Sequence, residues 1–140
     1  MLGTENLYTA EQTRALDHCA IHEHNIPGIT LMSRAAEVAF RYLLETWPEP
    51  ETLQVLCGTG NNGGDGFLIA DLAHKRGIET TVIQLGDPGK MGGDALLARQ
   101  QALSNGVRVV SFGDVAHTAW VFYAFGVSGV LEEKNGSLCA

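Results

Sequence analysis

Residues Leu53 to Gly66 read Leu-Gln-Val-Leu-Cys-Gly-Thr-Gly-Asn-Asn-Gly-Gly-Asp-Gly, an apolar run of strand length entering a loop with five glycines. Glycines at that density let the backbone take positive φ and approach a ligand with no Cβ in the way. If a helix follows, its free N–H groups and the positive end of its dipole point at whatever the loop holds. That is the physics of an anion or phosphate cradle. It confines the chain to folds that bury a strand and leave its C-terminal end open.

The flanking sequence supplies such a fold. Thr9-Ala10-Glu11-Gln12 reads as a capping box opening a first helix, which carries Leu16, Cys19 and Ala20 inward. Asn25-Ile26-Pro27-Gly28 breaks it. A second helix places Met32, Ala36, Ala39 and Leu43 at spacings of 4, 3 and 4, and Trp47-Pro48-Glu49-Pro50 ends it. After the glycine loop a helix is expected over Phe67 to Lys75, with Gly77 as its stop. Thr80 to Leu85 is strand-like, Gly86 to Gly89 a turn, Gly92 to Ser104 helical and Val107 to Phe112 another strand. Strands alternating with helices predict βαβ units and a mostly parallel sheet.

At 140 residues the chain reads as one domain with room for a core. Its net charge of −7 argues against a nucleic-acid groove or an anionic membrane surface as partner. Backbone amides can still bind phosphate without lysines. Cys19, Cys57 and Cys139 form an odd set with no C-x-x-C pair, which fits a reducing cytoplasm. No apolar run approaches the length of a membrane span.

Gly58-Thr59-Gly60-Asn61-Asn62-Gly63 fits the dinucleotide pattern G-x-G-x-x-G between a strand and a helix. The acidic residue expected about 20 positions on to hold a ribose has only Glu79 and Asp87 as candidates. Glu79 opens its strand, at the wrong end. A phosphate-loop NTPase fails outright, because Gly64 and Asp65 stand where Lys and Ser or Thr belong. Asp65 is the one carboxylate placed either to act on a ligand or to cap the following helix. His18 and His22, one turn apart, read as a solvated helix face rather than a zinc site, and Cys57 as a buried packing thiol. Asp94 and Arg99 read as exposed helix residues.

Cys57-Gly58-Thr59-Gly60-Asn61-Asn62-Gly63-Gly64-Asp65-Gly66 resembles the C-G-x-G-N-N-G-G-D-G signature of the NAD(P)H-hydrate epimerase family, the YjeF N-terminal domain. Tyr8 to Gln12 with Ala15-Leu16-Asp17 is similar to the family's opening helix, and Ile26-Pro27-Gly28-Ile29-Thr30-Leu31-Met32 to its I-P-G-x-x-L-M element. The resemblance runs from about Tyr8 to Asp114. It implies a Rossmann-like three-layer α/β/α domain with two N-terminal helices, which interconverts the R and S epimers of hydrated NADH or NADPH. It also implies that Asn61, Asn62, Gly63, Gly64 and Asp65 bind the hydrated dinucleotide and that Asn62 helps hold a potassium ion. An amide carbonyl suits a hard cation, and the amide N–H₂ a phosphate or ribose. The partners implied are the small-molecule substrate and a dehydratase domain or protein, with a homodimer also open.

The match stops in the last quarter. The family's next motif is an apolar run ending in Asp, then a G-T-G loop, and its Asp contributes to the potassium site. Trp120 to Gly129 has the hydrophobicity but no Asp, and the later V-D-x-P-S-G segment is absent. The expectation is therefore a sheet incomplete on its C-terminal side, with residues 115–140 a divergent tail. A frameshift or premature stop explains persisting apolar content better than a shortened natural variant does. The other reading frames downstream of residue 115 test this: a D-A-L-x-G-T-G there supports it and its absence sinks it. An edge so exposed predicts weak folding or self-association. A non-catalytic nucleotide-binding or protein-interaction module of the same fold is the rival reading. A dinucleotide-dependent oxidoreductase comes third, disfavoured by the Asn-Asn-Gly-Gly-Asp core.

Overall fold

In the computed structural model, residues 9–112 are described, together with the backbone of the short strands 122–125, 132–134 and 137–139. Two helices come first, α1 (Ala10–Glu23) and α2 (Gly28–Thr46). Then follow β1 (Thr52–Cys57), α3 (Asn61–Lys75), β2 (Glu79–Gln84), a 3₁₀ turn (Pro88–Lys90), α4 (Gly93–Ser104) and β3 (Arg108–Ser111). The later strands are β4 (Phe122–Phe125), β5 (Glu132–Lys134) and β6 (Ser137–Cys139).

The main sheet has the order β3-β2-β1-β4 with every pairing parallel, while β5 and β6 form a separate antiparallel pair. Two βαβ units, β1-α3-β2 and β2-α4-β3, grow the sheet to one side of β1, and β4 lies on the other. Helices α2, α3 and α4 pack against one another, and α3 also contacts β1 and β2. Leu53, Val55, Cys57 and Val82 join residues of these helices in one core cluster. Leu56 and Ile83, which alternate with them along the strands, are also buried.

Several boundaries follow directly from local chemistry. The capping box is present: Thr9 Oγ1 accepts from Gln12 N–H, and Gln12 Oε1 accepts from Thr9 N–H at 2.9 Å. Gly77 and Gly106 take φ of +87° and +91° after α3 and α4, ending each helix in the left-handed region. On α2 the stripe Met32, Ala36 and Leu43 is buried as predicted, with Phe40 added and Ala39 half-buried.

Three expectations are corrected. Helix α3 starts at Asn61, inside the glycine loop, and not at Phe67. Leu16 does not point inward; it is 53% exposed, because among the described elements α1 packs chiefly on α2. Asp94 and Arg99 are half-buried, with Asp94 set against Gly28 at the start of α2. The tail expected over residues 115–140 lies outside the described residues apart from its short strands. No described helix is long and apolar enough to cross a membrane.

Candidate functional site

The register of the sheet brings the ends of four strands to one edge. Cys57 pairs with Gln84 on one side and Phe125 on the other, and Gln84 pairs with Ser111. Chain direction splits at β1, where α3 and β2 leave one way and β4 lies the other. In open α/β sheets a ligand crevice forms outside the strand carboxyl ends at such a point.

The glycine loop occupies that edge. Gly58 and Thr59 lead from β1 to Gly60, the extended N-cap of α3, which has no side chain to cap the helix. The first intrahelical bond of the segment runs from Gly64 N–H to Gly60 C=O at 3.1 Å. The amides of Asn61, Asn62 and Gly63 therefore precede it and are the orphan donors of the helix N-terminus, where the dipole favours an anion. Asn61 and Asn62 are exposed, so their side chains add amide donors and acceptors at the same mouth.

The two following glycines serve packing. A Cβ on Gly63 would run into the carbonyl oxygen of Gly58. One on Gly64 would lie 2.8 Å from Met32 Sδ and 3.0 Å from Ala95 Cα. The absence of side chains there lets α3 begin hard against the end of β1 and between α2 and α4. Tertiary packing thus outweighs the glycines' poor helix propensity, which is why the helix starts six residues earlier than its apolar periodicity suggests. The five predicted residues fall within the first turn and a half of α3. Gly64 spends its N–H inside the helix, and half-buried Asp65 sits beyond the N-terminal turn, so the helix-cap alternative for Asp65 is ruled out by Gly60.

Gln84 is a residue the sequence reading did not single out. Its side-chain amide donates to the carbonyls of Cys57 at 3.1 Å, Gly58 at 3.4 Å and Leu85 at 3.2 Å. Leu85 N–H donates to Cys57 C=O at 2.9 Å, tying the same two strand ends. The available signal was a polar residue closing the run Thr80-Thr81-Val82-Ile83 at a strand's carboxyl end. Gly86 follows with φ of +80°, and a Cβ there would lie 3.2 Å from Thr59 Cγ2.

The remaining candidates lie elsewhere or are inert. Cys57 is fully buried, and that burial pushes its thiol far above the ordinary range, which suits packing and not nucleophilic attack. Asp87 caps the 3₁₀ turn by accepting from Gly89 N–H at 2.8 Å, and exposed Glu79 opens β2 at the opposite edge. His18 and His22 are exposed, with ring centroids 4.1 Å apart. No group of three or more His, Cys, Asp or Glu residues suited to a metal ion occurs among the described residues. For a potassium ion, Asn62 offers one amide oxygen at the positive end of a helix, an incomplete set for a hard cation. The stretch expected to supply the second motif, Trp120 to Gly129, is described only over β4.

The family model for the YjeF-related protein N-terminus matches residues 28–121. The bifunctional NAD(P)H-hydrate repair enzyme Nnr of Coxiella burnetii is 39% identical over 106 residues, covering 76% of this chain and 22% of that protein. The NAD(P)H-hydrate epimerase of Rhodopirellula baltica is 34% identical over 106 residues, covering 76% of this chain and 43% of the relative. The chain thus spans less than half the length of these curated relatives. The crystal structure of the yeast protein YNL200c superposes with a TM-score of 0.66 at 18% identity, covering 77% of this chain and 48% of that one. The Rossmann-like α/β fold is shared with it.

Proposed function

Since this chain belongs to the YjeF-related protein N-terminus family, we propose that it binds hydrated NADH or NADPH and interconverts their R and S epimers, as part of nicotinamide-nucleotide repair. The observation that carries the reading is the mouth of α3. Orphan amides from Asn61 to Gly63, backed by a helix dipole and two exposed asparagines, stand at the carboxyl edge where the sheet changes direction. Relatives that match this chain are named NAD(P)H-hydrate epimerase.

In this reading the backbone of the Asn61–Gly63 turn holds a phosphate of the dinucleotide. Asn61 and Asn62 orient ribose or phosphate oxygens, Gly63 and Gly64 admit the backbone to close approach, and Asp65 accepts from a hydroxyl or amide of the ligand. Asn62 is the residue proposed to touch a potassium ion through its carbonyl oxygen, and no step of the reaction runs through that ion. These residues are assigned binding and orientation, with no proton transfer among them. A cytoplasmic setting and a dehydratase partner belong to the same proposal. One of the matched relatives is named as a bifunctional repair enzyme.

The rival is a non-catalytic nucleotide-binding or interaction module, and one observation favours it: Trp120 to Gly129 contains no carboxylate. A coupled assay separates the two. The protein is given epimerised NADH hydrate and an S-specific dehydratase, and consumption of the R form is followed. Turnover supports the epimerase. Saturable binding without turnover supports the module, hydride transfer supports an oxidoreductase, and absence of binding overturns the site itself.

A further inference from the structure

Gln84 closes β2 and is 5% exposed, with its side chain spent on the neighbouring strand end. The two hydrogens of its amide are shared among the carbonyls of Cys57, Gly58 and Leu85. Its oxygen, Oε1, is buried and has no donor among the described residues. Turning the amide over would not help, since that would set the oxygen against three carbonyls. An unmet buried acceptor is unfavourable, and a methionine or leucine would fill similar space without one. The pairing of the strands does not ask for the amide either. The β1–β2 register already runs up to Cys57 and Gln84, and Leu85 N–H ties Cys57 C=O at 2.9 Å.

What the side chain adds is a grip on the loop. Successive carbonyls of an extended strand point to opposite sides, so Cys57 and Gly58 can turn both of theirs to one amide only where the strand breaks. The Gly58 carbonyl held in this way is the one on which α3 is seated, because a Cβ on Gly63 would run into its oxygen. Close packing leaves that contact no room to adjust, so a shift of the Gly58 carbonyl shifts the first turn of α3 with it. That turn carries the open amides of Asn61 to Gly63. The unpaired oxygen marks a residue kept for what its amide hydrogens hold in place.

We propose that Gln84 is a positioning residue for the ligand: by holding the Cys57 and Gly58 carbonyls it sets the first turn of α3 where its open amides receive a phosphate of the dinucleotide. The role rests on the loop's being the dinucleotide site. Isothermal titration calorimetry of the full 140-residue chain with NADH hydrate tests it, on wild type, Gln84→Met and Gln84→Glu. Gln84→Met is expected to weaken binding on the order of tenfold, the worth of one hydrogen bond, at unchanged stoichiometry. A merely structural role would instead lower the fraction of chains that bind and leave their affinity alone. Gln84→Glu adds a pH signature. Its carboxyl, buried among carbonyl oxygens, donates to them when protonated and repels them when ionised, so it titrates above the ordinary glutamate value of about 4.3. Relative to wild type, its affinity should recover as pH falls from about 9 to about 6. The ratio cancels the titratable groups both chains share, Asp65 and Asp87 included, and burial keeps the Cys57 thiol neutral throughout. Equal affinities in wild type and Gln84→Met overturn the proposal while leaving the loop as the site, and so does a flat pH ratio for Gln84→Glu. Should circular dichroism show Gln84→Met to be unfolded, the pH ratio decides alone. A wild type that binds no NADH hydrate overturns the reading of the loop and the proposal with it.

Discussion

At the scale of single residues, Gly63 and Gly64 show how one letter can carry two physical roles. Both look like ligand-loop glycines in sequence, yet both are buried in α3. Replacing a mid-helix glycine by alanine gains about 1 kcal/mol of propensity. At Gly63 the new methyl meets the Gly58 carbonyl, which belongs to backbone and cannot rotate aside, so an overpacking cost of about 1–3 kcal/mol or more prevails. At Gly64 the nearest atom is the sulfur of Met32, a flexible side chain that can give way, although Ala95 Cα stands close behind. Gly63→Ala is therefore expected to lower stability by about 1–2 kcal/mol and Gly64→Ala by less than 1 kcal/mol. Urea unfolding of the two variants checks the order, and equal losses would show that the contact at Gly58 is not the controlling one. That Asn61 and Asn62 lie just past the carboxyl end of β1 was legible from their place after an apolar strand. That Gly63 abuts Gly58 was not, because the contact depends on how the chain folds back over itself.

Between elements, α3 and α4 are fastened by a buried carboxylate. Asp71 on α3 is 1% exposed and accepts from Gln101 at 3.0 Å and Asn105 at 2.8 Å, both on or just past α4; Lys75 pairs with it at 2.9 Å. Burial by itself raises its pKa, but the hydrogen bonds from Gln101, Lys75 and Asn105 together with the Lys75 charge outweigh it and hold the carboxyl below its usual value. A depressed folded-state pKa adds stability that is fully present above the unfolded value near 3.9, and it is lost as pH falls through the folded one. Asp71→Asn should cost about 1–3 kcal/mol at neutral pH. Its stability should also fall off less steeply below about pH 4 than that of the wild type. Denaturant midpoints measured from pH 7 down to pH 3 would show the two curves converging; parallel curves would remove Asp71 from the acid transition. Gln84 does a comparable task between β1 and β2, where its amide meets three backbone carbonyls. Neither network was read from sequence, since apart from Leu85 and Lys75 their partners lie 26 to 34 positions away.

For the whole molecule, protection should follow sheet order. β1 is paired on both sides and packed beneath α3, while α1, among the described elements, meets little beyond α2 and exposes Leu16. Native-state hydrogen exchange is expected to open α1 first, then the β3 edge, and β1 with β2 only on global unfolding. Early exchange in β1 would contradict a single core centred on that strand. The alternation of elements, the capping box, the α2 stripe and the Asn-Asn-Gly-Gly-Asp segment were determined by the sequence alone, because propensity, periodicity and capping act over a few residues. Tertiary structure decided where α3 begins, how closely Gly63 and Gly64 pack against Gly58, Met32 and Ala95, and that Gln84 joins two strand ends. It also left Val38 and Tyr42 of α2 exposed. Those outcomes depend on distances between residues far apart in the chain, and only the closed sheet with its helices in place sets them.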